Sequence, residues 1–147
     1  MATKFRSPSK VDVCVWVCVC VYGQPELRFS DNPRMLSFQR LDVYQRAIEL
    51  LGLVSEILAD LPPGNAERAD QLIRAAESVI RNIAEGAGRW SRQDGAKHYK
   101  IARGEAMECA ASLDVMKLRQ LVGKDRYERG IHLLEAVVSM LTRMVAT

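Results

Sequence analysis

The sequence predicts an all-α protein, an antiparallel up-down-up-down bundle of four helices. Three observations carry this reading. After residue 40, four stretches place apolar residues at alternating spacings of three and four, the repeat of one helical face. Between them stand Pro62-Pro63-Gly64, then Gly86 and Gly88, then Gly123, residues that stop or turn a helix. The connections are short, so each helix must double back along the one before it.

The first helix runs from Leu41 to Leu61 on Tyr44, Ala47, Ile48, Leu51, Val54, Leu58 and Leu61, with Val43, Leu50 and Ile57 as a second stripe beside them. The second is expected from an Asn65 cap to Glu85, on Ala69, Leu72, Ile73, Ala76, Val79, Ile80 and Ile83. Glu77, Arg81 and Glu85 are spaced for i,i+4 pairing on its outer face. Gly86 and Gly88 follow where a helix end favours positive φ, which predicts a glycine C-cap. The third helix starts at Ser91, with Asp94 as capping-box partner. Its seam of Tyr99, Ala102, Ala106, Cys109, Leu113, Met116 and Gln120 keeps a strict heptad, and its small residues allow close approach. The fourth carries Tyr127, Ile131, Leu134, Val138, Leu141 and Val145, flanked by Leu133, Val137, Met140 and Met144. The second stripes on the first and fourth helices exceed what one buried face needs, which predicts self-association.

Residues 1–34 form a separate region from the bundle of residues 35–147. Residues 11–22 read VDVCVWVCVCVY, with valine at every odd position and three of the four cysteines. Such alternation is formally a strand pattern. The cysteines lack a second pair or a histidine to complete a metal set. Lys4, Arg6 and Lys10 imitate the start of a signal peptide, but the run holds Asp12 and no leucine, and is too short to span a bilayer. A GT-dinucleotide tract read in frame yields Val-Cys repeats, with Trp and Tyr one base change away. We therefore expect a low-complexity extension, disordered or lying upstream of the true start at Met35. Cys109 alone then remains in the bundle, and a cytoplasmic location follows by default.

The whole chain has 147 residues, 48% hydrophobic and 27% charged, the balance of one globular domain rather than a disordered chain. Its net charge of +3 points to no class of partner. The distribution is more informative. Between residues 81 and 103, Arg81, Arg89, Arg92, Lys97, Lys100 and Arg103 face only Glu85 and Asp94, a local net of +4. Trp90, His98 and Tyr99 interleave with these cations, a pattern suited to phosphate contact and base stacking. The opposing reading is a solvated helix face, with Tyr99 in the seam and Trp90 covering the bundle end.

Several residues together resemble a known family. Leu41-Asp42-Val43-Tyr44-Gln45-Arg46-Ala47 comes first, then Ile73-Arg74-Ala75-Ala76. Ser78-Val79-Ile80-Arg81-Asn82-Ile83-Ala84-Glu85-Gly86 follows, then Gly88-Arg89, Ser91 and Ile101-Ala102-Arg103-Gly104 with Glu108. This series is similar to the four-helix proteins of the 23S rRNA intervening-sequence family, over about residues 36–145. The resemblance implies a small bacterial bundle that assembles as a ring, usually a pentamer, with no established enzymatic activity. Some members are encoded inside insertions in ribosomal RNA genes, and a related branch assists the reverse transcriptases of diversity-generating retroelements. Binding of RNA or of a ribonucleoprotein is the function implied. One departure is visible: Ala110 stands where members commonly carry a second acidic residue after the equivalent of Glu108.

Four further groups have a structural and a chemical reading. Gly86-Ala87-Gly88-Arg89 could cradle a phosphate through its amides, but it follows a helix C-terminus, whose dipole repels anions, so a cap is preferred. Asn82 and Glu85 with Arg81 or Arg74 could form a buried polar network, and an Arg–Glu pair between subunits would fix the register of a ring. Glu105 and Glu108 lie one turn apart, yet His98 and His132 do not complete the Glu-x-x-His pairs of a di-metal bundle, so no metal and no cofactor are expected. Cys109 sits in the seam, where a thiol is inert, and no local pattern joins serine, histidine and carboxylate. The expected protein is a non-enzymatic, ring-forming RNA- or ribonucleoprotein-binding module. The alternative is a homo-oligomeric scaffold for protein partners, without nucleic acid.

Overall fold

The structure, a computed structural model, describes residues 35–146. The extension of residues 1–34, with its strand-like, leader-like and cysteine-rich readings, lies outside the described residues. A single 3-10 turn, Ser37–Arg40, leads into four helices: α1 Asp42–Ala59, α2 Ala66–Ala87, α3 Arg92–Leu118 and α4 Lys124–Ala146. Pro62, Pro63 and Gly64 end the first helix as expected, Gly64 taking a φ of 90°. Asn65 precedes α2 but does not cap it: its amide donates to the Pro62 carbonyl at 3.0 Å and its oxygen accepts from Arg68 at 3.3 Å.

The four helices close a cycle in which α1 packs on α2, α2 on α3, α3 on α4 and α4 back on α1. Direction follows from cross-helix contacts. Arg103, early in α3, bonds Thr142 near the end of α4, while Tyr127, early in α4, bonds Asp114 late in α3. Arg126 at the start of α4 reaches Asp60 just after α1 at 2.6 Å. Neighbours therefore run antiparallel.

One apolar cluster fills the centre, and no polar or charged residue is buried among the described residues. The α3 seam is as predicted from Ala102 to Met116, where Ala102, Ala106, Cys109, Leu113 and Met116 are all buried, but Tyr99 is half-buried and Gln120 is exposed beyond the end of the helix. The apolar surplus lies elsewhere than expected. Val43, Leu50 and Ile57 of α1 and Leu133 and Val137 of α4 are buried in the centre, and Met140 and Met144 pack against it. Two adjoining stripes make one broad face, the width a helix needs to pack on two neighbours at once. The surplus is on α3, whose narrow seam leaves its far side free: Ile101, Met107, Val115 and Leu118 are exposed. No helix among the described residues is long and apolar enough to cross a membrane.

Candidate nucleic-acid interface at the turn between α2 and α3

The turn is shaped by close packing rather than by left-handed backbone. A Cβ added to Gly86 would stand 2.5 Å from Cε1 of Tyr99, and one on Gly95 would stand 2.9 Å from the Gly86 carbonyl oxygen. Helix α2 continues through Gly86 to Ala87, and Gly88 ends it at φ −83°. The predicted positive-φ glycine cap is thus absent. Gly86 is required because the Tyr99 ring occupies the space of its missing side chain. Burial raises the Tyr99 phenol above its ordinary pKa.

The backbone amides of this turn are already used. Gly88 N–H donates to the carbonyls of Ala84 and Glu85, both at 3.1 Å, and Arg89 N–H to that of Gly86 at 3.3 Å. These donors close the end of α2 instead of pointing at a ligand, so the segment is a helix terminus and not a phosphate cradle. Ser91 then caps α3, its Oγ accepting from Asp94 N–H at 3.0 Å and its hydroxyl donating to Asp94 Oδ2 at 2.8 Å. Lys97, at 2.8 Å, and the Ser91 hydroxyl hold the Asp94 carboxyl below its ordinary pKa.

The seven predicted contact residues separate into four groups. Arg81, Arg89 and Lys97 are each engaged by a carboxylate three or four residues earlier in the chain, Glu77 at 3.1 Å, Glu85, and Asp94. Arg103 donates from Nε to Thr142 Oγ1 at 2.9 Å, which fixes it against α4. Arg92 and Lys100 have no ion pair or hydrogen bond among the described residues. They line a shallow, open groove of about 370 Å³ with Gln93, Ala96, Lys97 and Val145. Trp90 is fully exposed at 105% and covers nothing, contrary to the bundle-end role weighed for it. Sequence reasoning missed Thr142 and Val145, which reach the site from the end of α4; only the antiparallel return of the chain brings them there.

The expected buried network does not form within the chain. Arg74 pairs with Asp70 at 3.3 Å on the surface, and Asn82 donates back to the Ser78 carbonyl at 2.9 Å and hydroxyl at 3.2 Å. Glu85 takes Arg89 and faces His98 Nε2 at 3.6 Å, while His98 Nδ1 is buried without a partner. Glu108 is exposed on the outer side of α3. Helical spacing puts Arg74, Arg81 and Glu85 on the solvent side of α2, where local pairs form more readily than cross-helix ones. No three metal-ligating side chains converge among the described residues, Glu105 and Glu108 included. Burial, reinforced by Glu105 and Glu108, pushes the Cys109 thiol up to about 12.

The described residues form an antiparallel four-helix bundle. The chain belongs to the 23S rRNA-intervening sequence protein family, whose model matches residues 39–143. It also resembles the crystal structure of a protein of unknown function from the S23 ribosomal protein family of Bacteroides thetaiotaomicron. The TM-score is 0.65 at 21% identity, covering 71% of this chain and 99% of that one. This second likeness is one of fold. No curated protein matches the chain.

Proposed function

We propose that the bundle of residues 35–147 is a non-enzymatic module that assembles with copies of itself and binds RNA or a ribonucleoprotein through the basic groove. The observation that carries this reading is the pair of cations Arg92 and Lys100, without partners among the described residues, in one groove that begins two residues after an exposed tryptophan in the chain. Cations without carboxylate partners are free to displace counterions from phosphates, the main source of nucleic-acid affinity. Arg81, Arg89 and Lys97 would first have to leave their carboxylates. The family's association with ribosomal RNA insertions supports RNA as the polymer. The exposed apolar side of α3 supports self-assembly, and the family resemblance points to a ring of five. Repetition of a weak groove around a ring multiplies its affinity.

A scaffold that binds only proteins is the second reading, and the same apolar side of α3 favours it. One titration separates the two. Full-length protein is titrated with a structured RNA at low and at physiological salt, alongside the Arg92→Ala/Lys100→Ala variant. Steep salt dependence, with a log–log slope shallower by about 1.5 in the variant, supports RNA binding at the groove. No binding at low salt leaves the scaffold.

A further inference from the structure

We propose that Trp90 is a stacking platform for an unpaired base, so that the RNA element bound at this site is single-stranded. The inference rests on the RNA-binding reading and narrows its ligand. A tryptophan side chain at 105% exposure contributes nothing to the packing of its own subunit. Yet its backbone is held on both sides. Arg89 N–H bonds the Gly86 carbonyl before it, and the Ser91–Asp94 cap fixes the start of α3 after it. The indole is therefore presented from an ordered turn rather than from a loose tail.

The surroundings favour a nucleic-acid base over an apolar partner. Arg92 follows two residues later, and Lys100 lies eight residues beyond that, about 12 Å along the helix axis. These two cations line one groove at the start of α3, and Trp90 stands two residues before the first of them in the chain. An exposed indole at the entry to such a cationic row supplies the two parts of single-strand recognition, a surface for a base and donors for the backbone. A paired duplex offers no free base face to an exposed side chain, since its bases are stacked on one another. An apolar protein surface would desolvate Arg92 and Lys100 without supplying a counter-charge.

The test uses full-length protein carrying Trp16→Phe, which leaves Trp90 as the one tryptophan. Its emission is followed during titration at low salt with a short single-stranded RNA and with a duplex of the same sequence. The expected result is quenching by the single strand and little change with the duplex. Followed instead by the fluorescence anisotropy of a dye-labelled RNA, Trp90→Ala should weaken single-strand binding between about 5-fold and 150-fold with an unchanged salt slope, and Trp90→Phe should recover part of the loss. Single-strand binding that neither quenches Trp90 nor responds to Trp90→Ala overturns the stacking role and leaves the phosphate groove standing. Equal quenching by duplex overturns the single-strand assignment. Failure of both RNAs to bind removes this inference and the RNA reading together. A blue shift that follows protein concentration, without response to RNA, assigns Trp90 to a subunit contact instead.

Discussion

The ring of Tyr99 lies where a side chain at Gly86 would begin, with Cε1 only 2.5 Å from the position of the missing Cβ. Gly86→Ala therefore sets two effects against each other. Alanine favours the helix by about 1 kcal/mol over glycine. Overpacking against a half-buried ring costs roughly 1–3 kcal/mol, because the ring must move away from the seam. We expect net destabilisation by chemical denaturation. In a Tyr99→Ala background the sign should reverse, since only the propensity gain remains. A double-mutant cycle without coupling between the two positions would refute this account.

Gln120 should respond in the opposite direction. It holds a φ of 59° just after α3, with Gln120 N–H bonded to the Lys117 carbonyl at 2.9 Å and Leu121 N–H to the Met116 carbonyl at 2.8 Å. This is the Schellman pattern, whose left-handed position normally belongs to glycine. A side chain there costs on the order of 1 kcal/mol. Gln120→Gly is expected to raise the denaturation midpoint by a comparable amount, without a change in m-value.

Removing the Ser91 hydroxyl should loosen the start of α3. Ser91→Ala deletes the acceptor of Asp94 N–H and one of the two bonds that hold the Asp94 carboxyl ionised. A lost cap of this kind costs roughly 1 kcal/mol. The folded-state pKa of Asp94 is depressed, so its contribution is complete above the unfolded value near 3.8 and fades as pH falls through the folded one. An NMR titration of Asp94 should show its midpoint rising in the variant. An unmoved midpoint would mean that Ser91 does not stabilise the ionised carboxylate.

Cys109 is expected to be unreactive while the bundle is folded. It is fully buried, and its thiol is pushed up to about 12, so almost no thiolate exists at pH 8. Alkylation followed by peptide mapping of the intact chain should leave Cys109 unmodified under native conditions and modify it in denaturant. Rapid native labelling would imply that α3 opens locally.

Much of the fold was legible because the apolar spacing in each helix states which side is buried, and the α3 seam from Ala102 to Met116 is the clearest case. The role of Gly86 was not legible. A glycine at a helix end has a local explanation, the cap, and only the approach of Tyr99 from the next helix shows the steric one. The basic residues were legible as a cluster, but not which of them have partners. That depends on side-chain geometry: Glu85 lies within reach of both Arg81 and Arg89 along the helix, and takes Arg89. The outer side of α3 was not legible because the regular extra stripes are those of α1 and α4, which make one wide buried face, whereas the exposed apolar residues of α3 are irregularly spaced.

Ile101, Met107, Val115 and Leu118 are 48%, 50%, 47% and 84% exposed, four large apolar side chains on one helix opposite its seam. Scattered apolar residues are ordinary on a surface, but these recur along most of α3 with Gly104 and Ala111 between them, and small residues allow another helix to come close. Val115→Glu with Leu118→Glu places two carboxylates in that stripe without touching the core. If the stripe is the contact between copies, sedimentation should show the assembly falling to single chains while the helical circular dichroism is kept. The thermal midpoint of the unaltered protein should rise with its concentration, and that dependence should vanish in the variant, because assembly stabilises only the folded state. An assembly unchanged by the two glutamates would move the interface off α3. An unaltered protein that sediments as a single chain would remove the assembly itself.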